Sequence, residues 1–173
     1  MMKSIFELLS QQPYWEYDEK KLVLKSAEDK IVSLHIDKHG KQALFKLHDD
    51  EYEIRREGFW QRQVIIFKRE KPILILRPQF WGSMALIEFF KGNRYELKLK
   101  NEPTITLHFV DETGRDLFEM KLEEEEKKPS AILKILYHHI PKEEMLFLFI
   151  LAAFITQNIG LENTDITRIK IKE

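Results

Sequence analysis

Residues 145–155, with the sequence MLFLFILAAFI, are the stretch that decides the fold. All eleven are apolar, so a helix formed here is hydrophobic around its whole circumference and requires apolar surroundings on every side. At a rise of ~1.5 Å per residue the stretch is too short to cross the ~30 Å hydrocarbon core of a bilayer. We therefore predict a buried helix that the rest of the chain encloses.

The chain before this stretch has the pattern of antiparallel strands. Between residues 14 and 122 apolar and polar side chains alternate, as in Arg94–Lys100, where Tyr95, Leu97 and Leu99 share one face. Short polar breaks separate the segments, and such short connections join antiparallel neighbours because parallel strands need a long crossover. With a final strand at residues 164–171, about twelve strands are predicted.

This pattern predicts a mainly β (α+β) fold, namely a closed antiparallel barrel of about twelve strands around a central C-terminal helix. Closure removes the exposed edges of a long meander. A barrel of this size is too wide to be filled by its own side chains, so the apolar helix is expected to fill it.

The flanking segments complete a single domain over residues 1–173. A short N-terminal helix is predicted at residues 1–12, and helices are predicted over residues 130–159. In the first of these Ser130 caps a short helix that runs to His139. Pro141 then begins the central helix at residues 141–159.

Composition excludes several kinds of chemistry. The 173 residues contain no cysteine, which rules out disulfides, thiolate catalysis and cysteine zinc sites. The N-terminus is a poor signal peptide and no transmembrane segment is indicated, so we expect a cytoplasmic protein. The net charge of −1 is uneven, because residues 51–100 carry 11 basic and 6 acidic side chains whereas residues 101–173 carry 9 and 14. Such an asymmetry indicates either a binding face or internal charge matching.

No motif indicates an enzyme. The histidines at positions 35, 39, 48, 108, 138 and 139 lack metal-ligand spacing. The serines lie in no nucleophile motif, and no phosphate-binding glycine motif occurs. We therefore predict no catalytic residue, no metal and no cofactor.

Residues 138–158 (HHIPKEEMLFLFILAAFITQN) resemble a segment of the tubby C-terminal-like superfamily, which includes the phospholipid scramblases and the plant LURP-one-related proteins. In that superfamily a many-stranded sheet is followed by a connector, a proline-acidic turn and a wholly apolar helix. The resemblance therefore implies a barrel around a central helix. Scramblases carry an acidic calcium-loop-like stretch before this helix, whereas residues 128–139 here contain no carboxylate. Calcium-activated scrambling is accordingly not implied.

The basic middle third is the predicted binding region. Its candidate anion-binding side chains fall on two or three adjacent predicted strands and their loop: Arg55, Arg56, Arg62, Lys68, Arg69, Lys71 and Arg77. Phe59, Trp60, Phe80 and Trp81 are interleaved with them. Guanidinium groups bind phosphate in a bidentate manner, and the resemblance implies recognition of phosphoinositide headgroups by a basic face. We predict a non-enzymatic binding module for an anionic phospholipid or phosphate headgroup, with an anionic membrane surface or an acidic protein as partner.

Two other interpretations stay open. Glutamates at positions 51, 53, 57 and 70 lie among these cations and would neutralise them across paired strands, which describes an ordinary solvated face. The chain is alternatively a structural or protein-interaction domain without a small ligand, with residues 123–126 (EEEE) as a contact region. Nucleic acid is not an expected partner, because a net charge of −1 does not supply the attraction that duplex binding uses.

Overall fold

The computed structural model describes residues 14–18, 21–26, 29–37, 41–47, 49–58, 62–79, 84–100, 104–125, 128–137, 139–158 and 168–172. Within these residues the strands are β1 (Tyr14–Asp18), β2 (Lys21–Ser26), β3 (Asp29–Ile36), β4 (Gln42–Leu47), β5 (Asp50–Glu57), β6 (Gln63–Lys68), β7 (Lys71–Pro78), β8 (Met84–Phe89), β9 (Arg94–Lys100), β10 (Thr106–Asp111), β11 (Asp116–Glu125), β12 (Lys128–Ile135) and β13 (Arg168–Lys172). The helix of these residues is α1 (Lys142–Asn158). The predicted N-terminal helix at residues 1–12 lies outside the described residues.

The strands pair with their neighbours in sequence from β1 to β12, and every one of these pairings is antiparallel. Strand β13 lies between β12 and β1, and it pairs with β1 through three residue pairs. The order of pairings therefore returns to its starting strand. The prediction of a mainly β chain with an antiparallel sheet and one C-terminal helix is confirmed for the described residues.

One pairing differs from the all-antiparallel prediction. Strand β13 runs parallel to β12, with Ser130 opposite Arg168 and Lys134 opposite Lys172. Parallel neighbours need a long crossover, and α1 provides it. The prediction had treated the last strand as one more member of the meander.

The predicted helix from Ser130 to His139 is wrong. Residues Lys128–Ile135 form β12 and pair with β11 through eight residue pairs. Ala131, Leu133 and Ile135 are buried at alternate positions, and Lys134 between them is exposed. This period of two suits a strand, and the partner strand overrides the weak capping preference of Ser130.

Helix α1 is buried against the sheet. Its side chains are buried continuously over residues 144–154. The ring of Phe147 packs 5.2 Å from that of Tyr52 on β5, and Phe149 packs 5.1 Å from Phe118 on β11. Strands β5 and β11 lie far apart in the strand order, so the helix packs against distant parts of the sheet. In the part of the chain that the structure describes, no helix is both long and apolar enough to span a membrane.

The end of the ring at which α1 begins carries the candidate site. Consecutive strands run in opposite directions, so the turns at residues 49, 69–70, 90–93 and 112–115 all lie at one end. Glu144 in the first turn of α1 contacts Asn93 in one of these turns. We call this end the mouth, and the opposite end the far end.

Candidate functional site

Arg55, a central residue of the predicted basic face, is already paired with carboxylates. Arg55 on β5 bonds Glu53 through Nε at 2.8 Å and bonds both carboxylate oxygens of Glu70 through Nη2 at 2.9 and 3.0 Å. Its guanidinium also lies 4.3 Å over the ring of Phe67. The hydrogen bonds to Glu53 and Glu70 raise the pKa of Arg55 above its ordinary value. This arginine stabilises the outer sheet surface and offers few donors to a ligand.

Three further predicted residues are paired in the same way. Arg77 bonds Glu88 on the neighbouring strand at 2.9 Å. Lys68 and Arg69 share the carboxylate of Asp50, at 3.0 and 3.3 Å. Cross-strand charge matching therefore accounts for much of the positive charge of the middle third.

The remaining three predicted residues do not lie together. Arg62 is exposed at the start of β6, at the far end, and Lys71 is exposed at the mouth. Arg56 is half-buried on the inner face of β5, where its Nε has no hydrogen-bond partner, and burial lowers its pKa. The seven residues thus divide between the outer face, the far end and the mouth. Phe59, Trp60, Phe80 and Trp81 lie outside the described residues.

A cavity of about 690 Å³ opens at the mouth. It brings together Lys68 and Lys71 from the predicted set with Lys91, which the sequence had not indicated. Aromatic side chains and the first turn of the helix also line the cavity: Tyr52, Phe89, Phe90, Phe147, Glu143 and Glu144. We call this the mouth cavity.

The cationic wall of the mouth cavity is held in place by β5 and β6. Lys68 Nζ lies 3.0 Å from Asp50 and 5.8 Å from the centre of the Tyr52 ring. The hydrogen bond to Asp50 raises the pKa of Lys68, so its amine stays protonated. Burial raises the pKa of Tyr52, so its phenol stays neutral. This wall offers positive charge beside a ring that can cover an apolar group.

The turn that joins Lys68 to Lys71 is strained. Arg69 and Glu70 have φ values of 49° and 64°, in the left-handed region that favours glycine. A two-residue hairpin of this kind is usually made by Asn-Gly. Here the two charged residues adopt it, and Lys71 is directed to the rim of the cavity.

The acidic wall is the start of α1. Glu144 accepts hydrogen bonds from Asn93 N at 3.0 Å, Asn93 Nδ2 at 3.2 Å and Tyr95 Oη at 3.1 Å. Burial and the Glu144 carboxylate raise the pKa of Tyr95, which therefore remains a donor. The carboxylate of Glu144 is thus hydrogen-bonded within the protein. The first intrahelical bond runs from Met145 N to Pro141 O, so the earlier N–H groups of the helix lack helical acceptors.

Gly92 permits this contact between hairpin and helix. A Cβ at this position would lie 3.0 Å from Phe89 Cβ and 3.1 Å from Glu144 Oε1. Both distances are shorter than ordinary contacts, so a larger residue would push the hairpin from the helix start. Nothing in the sequence indicated that Glu144, Asn93 and Gly92 would lie together.

Other candidate chemistry finds no support in the described residues. His108 Nδ1 lies 3.7 Å from Glu119, and His35 and His139 are exposed. Among the residues whose positions are described, no group of three or more His, Cys, Asp or Glu could hold a metal ion. His39, His48 and His138 lie outside those residues, as do the side chains at positions 123–126 that formed the alternative contact region.

Comparison of the chain with protein-family models, with curated proteins and with solved structures gave no match. The resemblance to the tubby C-terminal-like superfamily therefore stays a prediction, and so does any function drawn from it.

Proposed function

We propose that this protein is a non-enzymatic binding module that recognises the anionic headgroup of a phospholipid at its mouth. The observation that carries the proposal is the mouth cavity, which joins three lysines to an aromatic wall in about 690 Å³. Of the predicted binding residues, Lys68 and Lys71 belong to this site. Arg55 and Arg77 act in ion pairs on the sheet, and Arg69 pairs with Asp50 from the turn between β6 and β7. Arg56 and Arg62 lie towards the far end.

Charge at the mouth favours an anion. Lys71 and Lys91 are exposed and have no ion-pair partner among the described residues. The carboxylate of Glu144 is held by Asn93 and Tyr95 through three hydrogen bonds. Asp50 is paired with Lys68 and Arg69, which leaves Glu143 as the exposed acidic side chain of the mouth cavity. The N–H groups in the first turn of α1 lack helical acceptors and add partial positive charge at the mouth.

The rim of the mouth suits a lipid surface. Phe90, at the tip of the β8–β9 hairpin, is 55% exposed and stands next to Lys91. An exposed aromatic ring beside a cation is typical of side chains that rest in the headgroup layer. The proposal takes the circular strand order as a closed barrel, the architecture that the resemblance implies, with its mouth directed at the membrane.

Vesicle co-sedimentation tests this proposal. We expect binding to vesicles of phosphatidylcholine mixed with phosphatidylglycerol, weaker binding in high salt, and little binding to phosphatidylcholine alone. The double variant Lys71→Glu/Lys91→Glu should lose at least about ten-fold in affinity, since each basic residue near an anionic surface contributes ~1 kcal/mol.

The matched control is Arg62→Glu/Lys100→Glu. Both residues are exposed and lie at the far end, so this variant changes the net charge equally without touching the mouth. It should bind as the wild type does. Equal loss in the two variants, or equal binding to neutral and anionic vesicles, would contradict headgroup recognition at the mouth.

A further inference from the structure

The mouth cavity presents free charges of both signs. Two acidic side chains at the mouth, Glu144 and Asp50, are held by other residues of the protein. Glu143 also lines the cavity, but it is exposed and has no hydrogen bond or ion pair to any described residue. Lys71 and Lys91 are exposed in the same cavity and lack ion-pair partners in the same part of the chain. Two cations and one carboxylate are therefore available to a ligand.

The two free lysines lie on adjoining hairpins. Lys71 begins β7, directly after the turn from β6, and Lys91 lies in the turn between β8 and β9. Strands β7 and β8 are paired, and Phe90 N donates to Ile73 O at 3.0 Å, so the mouth ends of the two hairpins lie side by side. The sheet side of the cavity is therefore its cationic side.

The free carboxylate belongs to the helix side of the cavity, beside a pair of aromatic rings. Glu143 is in the first turn of α1, and Phe147 follows it by four residues, which places both side chains on one face of the helix. The ring of Phe147 packs 5.2 Å from that of Tyr52, which also lines the cavity. An acid in the first turn complements the helix dipole. Beside two rings that can attract a cation, it also provides a site for a positively charged group.

We propose that the mouth cavity selects a headgroup with two acidic groups and one ammonium group, as in the phosphoserine headgroup of phosphatidylserine. This inference rests on the headgroup binding proposed above and names the lipid class. The phosphate and the serine carboxylate contact Lys71 and Lys91 on the sheet side. The ammonium group lies near Glu143 and the rings of Tyr52 and Phe147 on the helix side. A cavity of about 690 Å³ is of the size that small-molecule sites have.

Other common headgroups leave one of the free charges without a partner. Phosphatidylglycerol has a phosphate but no cation, so the Glu143 carboxylate would face an anionic ligand without compensation. Phosphatidylethanolamine has an ammonium group but a single acidic group, so one of the two lysines would stay unpaired. A headgroup with several phosphates satisfies both lysines but is repelled more strongly by Glu143. Among these headgroups the charges of the cavity therefore favour phosphoserine.

Vesicles of equal surface charge test this assignment. Phosphatidylserine and phosphatidylglycerol each carry one net negative charge at neutral pH, so the general attraction of the membrane surface is the same for both. Phosphatidylcholine vesicles that contain an equal fraction of one or the other lipid are compared by co-sedimentation. We expect the wild type to bind the phosphatidylserine vesicles about five-fold more tightly, the effect of one favourable charge interaction near a membrane.

Glu143→Gln is the decisive variant, because it removes the charge and nearly keeps the shape of the side chain. It should bind phosphatidylglycerol vesicles more tightly than the wild type does, and its preference for phosphatidylserine should disappear. The matched control is Asp116→Asn, which removes one exposed negative charge at the mouth end of β11, outside the cavity. It should keep the preference of about five-fold. Both substitutions are at exposed positions, and urea titration checks that both variants are as stable as the wild type.

Equal binding of the wild type to phosphatidylserine and phosphatidylglycerol vesicles would overturn the assignment, and so would a preference that Glu143→Gln retains. Tighter binding to a phosphatidylinositol phosphate at matched membrane charge, or equal binding to phosphatidylethanolamine, would do the same. In these cases, anionic vesicle binding that Lys71→Glu/Lys91→Glu weakens would still support the headgroup site. Failure to bind any anionic vesicle would instead contradict the proposed function itself.

Discussion

Whether a lysine or arginine can bind a ligand is decided by the carboxylates that its backbone position brings near. Arg55 lies within reach of Glu53 on its own strand and Glu70 in the next turn, and both accept its donors. Lys71 directly follows the same turn, but it lies at the rim of the mouth cavity and has no such partner among the described residues. Two residues of equal charge that lie near the same turn thus have different roles.

Glu144 is the side chain at the mouth whose removal should lower the free energy of unfolding most. Glu144→Ala would leave Asn93 N and the Tyr95 hydroxyl without their acceptor, and unfulfilled donors of this kind cost ~1–3 kcal/mol each when buried. We expect a free energy of unfolding lower by about 2–3 kcal/mol in urea titration. The neighbouring exposed Glu143→Ala should change it by less than about 0.5 kcal/mol. A similar small loss in both variants would show that the contact between α1 and the β8–β9 hairpin contributes little.

At the scale of elements, local pattern predicted the strands well and failed where two periods coexist. Tyr95, Leu97 and Leu99 alternate with charged residues, and this alternating segment forms β9. In residues 130–139, however, Ile132, Ile135 and Leu136 fit a helical stripe while Ala131, Leu133 and Ile135 fit a strand. Pairing with β11 favours the strand. The sequence of the segment itself does not show that this neighbouring strand is available.

The β10–β11 turn provides a prediction for pH dependence. Asp111 accepts hydrogen bonds from Thr113 N at 2.9 Å, Thr113 Oγ1 at 2.7 Å and Arg115 N at 2.9 Å. Burial raises the pKa of Asp111, but these hydrogen bonds outweigh it, and the pKa lies below its ordinary value. A lowered folded pKa stabilises the protein above the unfolded pKa of ~3.9, and this stability is lost as pH falls through the folded value.

We therefore expect Asp111→Asn to unfold at lower urea concentration than wild type at neutral pH, and the difference to shrink as pH falls below ~3.9. The exposed Asp116→Asn, in the following strand, is the control and should show little difference at either pH. A gap between wild type and Asp111→Asn that persists unchanged in acid would contradict the charged role of Asp111.

At the scale of the molecule, the site depends on which end of the sheet the start of the helix contacts. The lysines at positions 68, 71 and 91 come from three different strands or turns, and Glu143 and Glu144 follow them by about 50 residues or more in sequence. The sequence contains each of these side chains, but the shared mouth arises only from the alternating strand directions and the entry of α1. The apolar helix could therefore be predicted from residues 145–155, whereas the mouth cavity could not.

The burial of α1 leads to the last prediction. Ala152 is fully buried in the middle of the helix, with its carbonyl bonded by Thr156 Oγ1 at 2.6 Å. An arginine here would place an unpaired charge in an apolar interior, and its volume has no space between helix and sheet. We expect Ala152→Arg to be insoluble or unfolded by circular dichroism, whereas Leu136→Arg, at an exposed position just after β12, should fold normally. If Ala152→Arg were soluble, monomeric and rich in β structure, the helix would have to face solvent, and the enclosed architecture on which the proposed headgroup site depends would be wrong.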